Sequence, residues 1–470
     1  MSINLRGLHR WSKRLASLLA LLVLFFPQRA AAKYSGGNGM PGDPYRIATP
    51  QDLNDIANNA ADLGSHFALV NDINVADFNG TQFSIIGDLN TPFMGVFDGN
   101  QHTISNFTWT WGDRHLVGLF GFVGAGAQIK NLKMENVSIN AGNGFYIGGL
   151  VGLNFQGAIT NCHLTGSIAG NGTKIGGLTG INYSSSAAIS DCHFAGSVSG
   201  DYEAGGIVGR NYGQVTRCYS EGAIGGKIYV GGLVGGNYQS GSVSNCYSMA
   251  TVSAHYDVGG LVGRNSLEGT IKDCFARGDV TGNDEVGGLV GDNESGKIIN
   301  SYSTGAVRGL DEVGGLVGVN EYCELYCDQW GQCDWLCDSG SAVNSFWDIE
   351  TSGQSQSSAG VSKTTIEMKT ESTFTGSGWD FVGETANGTQ DIWTICQTTN
   401  YPRFVWSIAS ADFICPDGVD FLDFAVFASA WISKPGDANW LPICDISQPK
   451  DSFIDMLDLA VFCENWLEGK

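Results

Sequence analysis

Charge is scarce. Asp, Glu, Lys and Arg make up 15% of the 470 residues, and the basic share is the smaller, 25 Lys and Arg against 47 Asp and Glu, for a net charge of −22. So acidic a chain lacks the clustered cations that neutralise phosphates, which excludes nucleic acid as a partner. The shortage of charge does not signal disorder, because 43% hydrophobic and 11% aromatic residues supply the apolar surface that disordered chains lack. Proline is rare, 10 residues, and glycine follows no strict three-residue period, which excludes collagen. The seven histidines form no H-E-x-x-H, and no G-x-S-x-G or P-loop string occurs. The metalloprotease, serine-hydrolase and nucleotide chemistries carried by those motifs therefore have no footing. Long apolar runs are missing too. Leu15–Phe26 covers 12 residues, short of the roughly 20 that span a bilayer, so the chain is not expected to cross a membrane.

That run has a different use. Arg6, Arg10, Lys13 and Arg14 precede it, and Pro27 and Ala30-Ala31-Ala32 follow. Residues 1–32 thus read as a secretory signal peptide cleaved near Ala32, with a retained anchor as the alternative. Its removal takes away five basic residues and leaves a secreted or cell-surface chain at −27. The 13 cysteines then sit where disulfides persist.

What is abundant is glycine, 67 residues, and a repeat accounts for it. VGLFG (117–121), IGGLVG (147–152), IGGLTG (175–180), AGGIVG (204–209) and VGGLVG at 230–235, 258–263, 286–291 and 313–318 place one apolar residue at 119, 150, 178, 207, 233, 261, 289 and 316. An Asn follows at 154, 182, 211, 237, 265, 293 and 320, and a second block such as NCHLTG (161–166) or NCYSMA (245–250) trails each motif. Each unit of about 28 residues contains short β segments between Gly, Asn and Ser turns, with no helical period. One unit cannot bury its few apolar residues alone, whereas stacked units share a continuous core. The prediction is an all-β chain: a parallel β-solenoid (β-helix) of about eight rungs over residues 117–348, rising about 4.8 Å per rung. A flat antiparallel sandwich is the alternative. The glycines are expected at rung corners needing positive φ and at close backbone contacts. Residues 33–116 read as an N-terminal cap and the first rungs, with Thr49-Pro50-Gln51-Asp52 opening a helix that covers the solenoid's open edge. Residues 349–410 form a spacer and closing segment, opened by the capping box Thr364–Glu367.

The eight G-L-V-G-like strings resemble the GLUG-motif repeats of large secreted bacterial proteins. The resemblance implies a secreted or surface β-solenoid and, by itself, no reaction.

Cys162, Cys192, Cys218, Cys246 and Cys274 share one repeat position and read as small buried core residues rather than a metal column. Cys323, Cys327, Cys333 and Cys337 interrupt the last rung in CELYCDQWGQCDWLC, an insertion over 321–340. In a hairpin centred on Trp330 they face one another pairwise, which predicts nested disulfides Cys323–Cys337 and Cys327–Cys333. A four-cysteine zinc site is the alternative. Tyr322, Tyr326, Trp330 and Trp335 decorate this hairpin and are candidates for binding sugars or protein partners, against a role in packing on the solenoid's flank. The sequence leaves the pairing of Cys396, Cys415, Cys444 and Cys463 open.

Residues 411–470 contain a duplication, D-F-L-D-F-A-V-F-A-S-A-W (420–431) and D-M-L-D-L-A-V-F-C-E-N-W (455–466), each an amphipathic helix after an acidic loop. Asp412, Asp417, Asp420 and Asp423 in the first copy, and Asp445, Ser447, Asp451, Asp455 and Asp458 in the second, offer the hard oxygens that calcium takes. A solvated acidic helix pair is the alternative. The duplication resembles a type I dockerin, with Asp417-Gly418 at the loop's Asp-Gly pair, Ser452 where glycine is usual, and Pro449-Lys450 inserted. That resemblance implies calcium as cofactor and docking of the carrier to a cohesin-like module or surface scaffold, in families rich in polysaccharide-degrading enzymes.

Two functional readings follow. One is a noncatalytic scaffold for adhesion or glycan and protein binding, with no catalytic residues. The other is a polysaccharide lyase or glycoside hydrolase with carboxylates, or an Asp/Arg/Lys cluster, on a solenoid face. Arg210, Arg264 and Asp292 occupy one repeat position and read as a solvated outer row.

Overall fold

The computed structural model describes residues 33–110, 113–327 and 333–407, together with 412, 419, 421–437, 439–441, 444–447 and 453–468. The signal-peptide segment 1–32 lies outside them. Among the described residues no helix is long and apolar enough to cross a membrane.

The predicted solenoid is the architecture found. One sheet of eight parallel strands takes one strand from each G-L-V-G motif, from Phe120–Val123 through Val234–Tyr238 to Val317–Val319, in strict rung order. The rest of each rung contributes to a second, 29-stranded sheet that wraps the other faces. Register is one residue position upon the same position of the next unit: Val234 on Val262, Asn237 on Asn265. The repeated leucines are vertical neighbours. The Leu233 amide donates to the Leu261 carbonyl at 2.9 Å, Leu261 to Leu289 at 2.9 Å and Leu289 to Leu316 at 2.8 Å. All four side chains are fully buried.

Three kinds of column fill the interior. Aliphatic residues such as Ile189, Val215, Val243 and Ile271 form the first. The five repeat cysteines form the second, each a buried free thiol. Their Sγ atoms sit 3.1–3.4 Å from the carbonyl two residues back. The third is an asparagine ladder. From Asn154 through Asn182, Asn211, Asn237, Asn265 and Asn293 to Asn320, each Nδ2 donates to the next Oδ1 at 2.7–2.9 Å. A carboxamide is both donor and acceptor, so a column of them satisfies itself; six of the seven are fully buried.

The glycines act differently from expectation at the corners. Glycine takes a positive φ at Gly166, Gly196 and Gly222, but the left-handed position just before the cysteine column is held by other residues, Asn161, Asp191, Arg217, Asn245, Asp273 and Asn300, with φ of 48–55°. Asn and Asp tolerate that region because their side chains bond locally. Motif glycines serve close packing instead. A Cβ on Gly232 would lie 2.2 Å from the Gly260 carbonyl oxygen and 2.1 Å from Ser248 Oγ, so no larger residue fits between rungs there.

At the N-terminal end the helix Pro50–Asn58 starts on a complete capping box between Thr49 and Asp52 and buries Leu53 and Ile56 on the core. At the other end, residues 349–407 fold back over the last rungs. Met368, Phe374, Trp379, Phe381, Trp393 and Phe404 close over Phe275, Tyr302 and Phe346, and Tyr302 Oη and Arg277 Nη2 both donate to the Pro402 carbonyl. They seal part of an aromatic column in which Tyr219–Tyr247 and Tyr247–Phe275 stack with centroids 4.8 Å apart. The C-terminal residues form two helices, Phe421–Ser429 and Met456–Glu468, around Val419, Phe427, Cys444, Ile446, Ile454 and Phe462.

Two outcomes follow. Asn237→Ala leaves the Asn211 donor and the Asn265 acceptor buried without their partner and lowers stability by about 2–4 kcal/mol, read from the denaturant midpoint. Of the seven free cysteines among the described residues, only Cys463 is exposed, so native alkylation labels Cys463 while the column thiols react only after denaturation; native labelling of Cys218 would contradict the buried column.

Candidate functional site

Because like positions stack, the outward side chains of the motif strand also form columns. Three adjoin one another. The first is the residue preceding each motif: Tyr146, Lys174, Glu203, Tyr229, Asp257, Glu285 and Glu312, every one with φ of 49–64°. The left-handed bend at each rung recurs without glycine. The second holds Ile181, Arg210, Gly236, Arg264, Asp292 and Val319. The third is the residue after the ladder asparagine: Phe155, Tyr183, Tyr212, Tyr238 and Ser266.

Where the first two columns carry charge, they pair across rungs. Arg210 is ion-paired with the buried Glu203, whose other oxygen is 3.6 Å from Lys174 Nζ. Tyr238 Oη donates to Glu203 at 3.0 Å, and the Arg210 guanidinium lies 5.0 Å from the Tyr238 ring centre. Burial works against the Arg210 cation, yet Glu203 outweighs it and raises the guanidinium above its ordinary value. Two rungs on, Arg264 bridges Asp292 at 3.3 Å and Glu294, and donates to Tyr229 Oη at 2.9 Å. Asp257 and Asp292 are only 5% and 6% exposed. Burial, reinforced by Glu285 one rung away, pushes Asp257 up to about 9. Burial also raises Asp292 to about 7, with Arg264 opposing and Glu285 and Glu294 adding to the shift. The expected solvated row of Arg210, Arg264 and Asp292 is therefore corrected: each is held in a half-buried or buried ionic cluster, because its rung neighbours carry groups that reach it.

Two clefts open along this face. One, of about 410 Å³, follows the third column past Phe155, Tyr183 and Tyr212, with Gln156, Ser184, Ser185, Gln239 and Ser240 around them. The other, of about 710 Å³, lies at the last rung and includes Asp311, Glu312, Glu321, Asn320 and Ser357.

The cysteine insertion is an antiparallel hairpin, Glu321–Cys327 with Cys333–Ser339, in which Cys323 faces Cys337 and Cys327 faces Cys333. Cys323 and Cys337 are joined in a disulfide, and Cys333 is also disulfide-bonded. Glu321, Cys323 and Cys337 form the one group among the described residues close enough to share a metal ion, but two of its sulfurs are bonded to each other and offer no thiolate. Trp330 lies outside the described residues, as do the side chains of Tyr322, Tyr326, Cys327 and Trp335.

In the C-terminal module, Asp417, Asp420 and Asp451 lie outside the described residues. Asp423 and Asp458, equivalent in the duplication, are both buried. Asp458 Oδ1 accepts from the Ile446 and Ser447 amides at 2.8 Å, and Oδ2 from the Asp455 amide at 2.9 Å. Burial opposes ionisation of Asp458, but these amides outweigh it and hold the carboxyl below its ordinary value. Asp445 and Ser447 are buried in the same loop, while Asp412 and Asp455 are half-buried. Among the described residues, no three carboxylates of this module converge on one point. An apolar cleft of about 310 Å³ opens between the helices at Phe424, Phe462, Cys463 and Trp466.

Sequence reasoning missed the aromatic column, although its signal was present: Phe155, Tyr183, Tyr212 and Tyr238 each follow a ladder asparagine in consecutive units. The ionic clusters had no such signal, since their members differ from rung to rung.

Comparison with known proteins agrees with the repeat. Halomucin of Haloquadratum walsbyi is 34% identical over 139 residues, which is 28% of this chain and 2% of that protein. A protein of Evansella cellulosilytica described as a Gly-rich membrane protein is 33% identical over 138 residues, 28% of this chain and 16% of the relative. The chain thus spans a small fraction of the curated relatives it matches. Among solved structures, a candidate immunoglobulin A1 protease from Bacteroides ovatus aligns over 80% of this chain and 96% of its own, at 21% identity and a TM-score of 0.38. A second IgA1 protease aligns over 67% of this chain and 21% of its own, at 17% identity and a TM-score of 0.36. The family model of the GLUG motif matches residues 143–169, 226–253 and 254–281, so the solenoid contains GLUG-motif repeats.

Proposed function

We propose that this chain is an exported, noncatalytic scaffold that binds glycans along its solenoid and is held to a cohesin-like partner or surface scaffold by its C-terminal module. The observation that carries the reading is how the ionisable groups of the long face are disposed. Arg210, Arg264 and Lys174 are taken up by Glu203, Asp292 and Glu294, and neither cleft of the face includes Asp257 or Asp292. A general acid must reach the bond it protonates, and these two carboxyls, 5% and 6% exposed, lie beneath the surface.

The polysaccharide-degrading alternative has one observation in its favour, the acidic cleft at Asp311, Glu312 and Glu321. There burial, with Asp284, Glu285 and Asp311 nearby, raises the Glu312 carboxyl. A screen of the full chain against polysaccharides that scores both retention and product release separates the two. Retention without release is expected; release abolished by Glu312→Gln would overturn the noncatalytic reading.

The C-terminal module contributes the docking half. Its donor set is all oxygen and acid-rich, and Asp445, Ser447 and Asp458 lie buried where one loop meets the second helix, which suits a hard cation. Asp412, Asp417, Asp420 and Asp423 would serve the first loop and Asp445, Ser447, Asp451, Asp455 and Asp458 the second, the ion supplying charge neutralisation that orders both. Calcium added to chelator-treated protein is expected to raise helical signal and the melting temperature. No change in either would remove the calcium claim.

The ionic cluster sets a pH dependence. Asp257 keeps its proton up to about 9 in the folded chain but loses it near 4 when unfolded. The folded state therefore holds the extra proton between those values, and stability falls as pH rises from about 4 toward 9. Asp257→Asn, which cannot ionise, is expected to gain at least about 1 kcal/mol over the parent at pH 8 and little at pH 4, read from denaturant midpoints.

A further inference from the structure

The third outward column is a ready surface for a chain-like ligand. Phe155, Tyr183, Tyr212 and Tyr238 follow one another rung by rung, with ring centres 5.8, 5.6 and 5.8 Å apart, and Phe122, from the adjacent column, lies 6.2 Å from Phe155. Tyr183 is 47% exposed, while Phe155 and Tyr212 are half-buried. The far end is anchored: Tyr238 Oη donates to Glu203, and Arg210 Nη1 to Tyr212 Oη. The rings are therefore held by the solenoid rather than free to collapse onto it. Core packing does not account for the row, since the interior columns beneath are complete without it.

We propose that this strip is a binding site for an uncharged polysaccharide, lying along the solenoid axis with sugar rings against Phe155, Tyr183 and Tyr212. The proposal rests on the glycan-binding reading above and assigns it a site and a ligand class. Three features select the occupant. Aromatic faces take the C–H faces of pyranose rings, apolar patches on otherwise polar molecules. The cleft's polar members, Gln156, Ser185 and Gln239 among them, carry amides and hydroxyls and no charge, and the adjoining Arg210 is ion-paired with Glu203, which matches sugar hydroxyls and leaves an ionised ligand unpaired. The rings recur at a rung spacing comparable with one sugar unit of an extended chain, so a repeating ligand meets a repeating surface. Within a chain of net charge −22, uronate or sulfated polymers are disfavoured further by repulsion.

The test is affinity electrophoresis of the full chain in gels containing soluble β-glucan, mannan or polygalacturonate. The expected result is retardation by a neutral polymer, weakened about tenfold in Tyr183→Ala and kept in Tyr183→Phe, with no retardation by polygalacturonate. Unchanged melting temperatures for both variants, expected for an exposed side chain, tie the loss to the ring; should Tyr183→Ala melt early, Ser185→Arg, which puts a charge into the cleft, carries the same expectation. Retardation that neither variant alters overturns the strip but leaves glycan binding standing. Failure of the parent chain to bind any of the polymers, or preference for polygalacturonate, overturns the proposal, and the first of these overturns glycan binding with it.

Discussion

In-register hydrogen bonding between successive units constrains everything else in this molecule. Once the Leu233 amide is bonded to the Leu261 carbonyl, each strand residue of one unit lies over its counterpart in the next, about 4.8 Å away. A side chain is then judged chiefly by how it tolerates a copy of itself. Carboxamides tolerate it best, because each gives and accepts once, and the ladder from Asn154 to Asn320 is the result. Thiols and branched aliphatics tolerate it as neutral fillers of the right volume. Planar aromatics tolerate it by stacking, as Tyr219, Tyr247 and Phe275 do.

Carboxylates do not. Asp257, Glu285 and Glu312 fall in one column on consecutive rungs, and two neighbouring like charges in partly buried surroundings cannot both ionise without cost. The proton retained by Asp257 is the column's way of meeting the same rule: a protonated carboxyl beside a carboxylate gives one donor and one acceptor, as a carboxamide pair does. Elsewhere the chain breaks the repetition and sets unlike residues side by side, Lys174 next to Glu203 in one column and Arg264 next to Asp292 in another. Departures from the repeat on the outer face thus have an electrostatic reason as well as a functional one.

This rule also decides what was legible in the sequence. Interior positions must repeat, so the leucine spacing, the asparagines and the cysteines carry the parallel solenoid and its core in the sequence itself. Local signals worked for the same reason that they are local: Thr49 with Asp52, and Thr364 with Glu367, hold capping boxes within four residues, and Cys323 facing Cys337 follows from the symmetry of one hairpin. The glycines misled at the corners because a single residue type served two explanations. Backbone collision at Gly232 and left-handed φ both favour glycine, but before the cysteine column Asn, Asp and Arg take the second. The ionic clusters were illegible because, Arg210 and Glu203 aside, their partners are 28 to 35 residues apart and differ at each turn. No period marks them; only the rung register brings Tyr229 to Arg264 or Arg210 to Tyr238.

The division between repeating inside and varying outside bears on how such a fold acquires function. A change to an inward residue propagates to two neighbours at once, as removal of one ladder asparagine would, so the interior is held to a narrow alphabet. An outward residue meets only its column mates and solvent, and it can change one rung at a time. The cleft along the third column carries aromatic rings and neutral hydrogen-bonding groups over the rungs of Phe155 to Tyr212, and the cleft at the last rung carries acids. Yet the backbone beneath is the same throughout, with Val151 and Val317 in the same sheet. Specificity along the axis is therefore written in side chains on an unchanging ruler, and a ligand that itself repeats is the kind such a ruler can read.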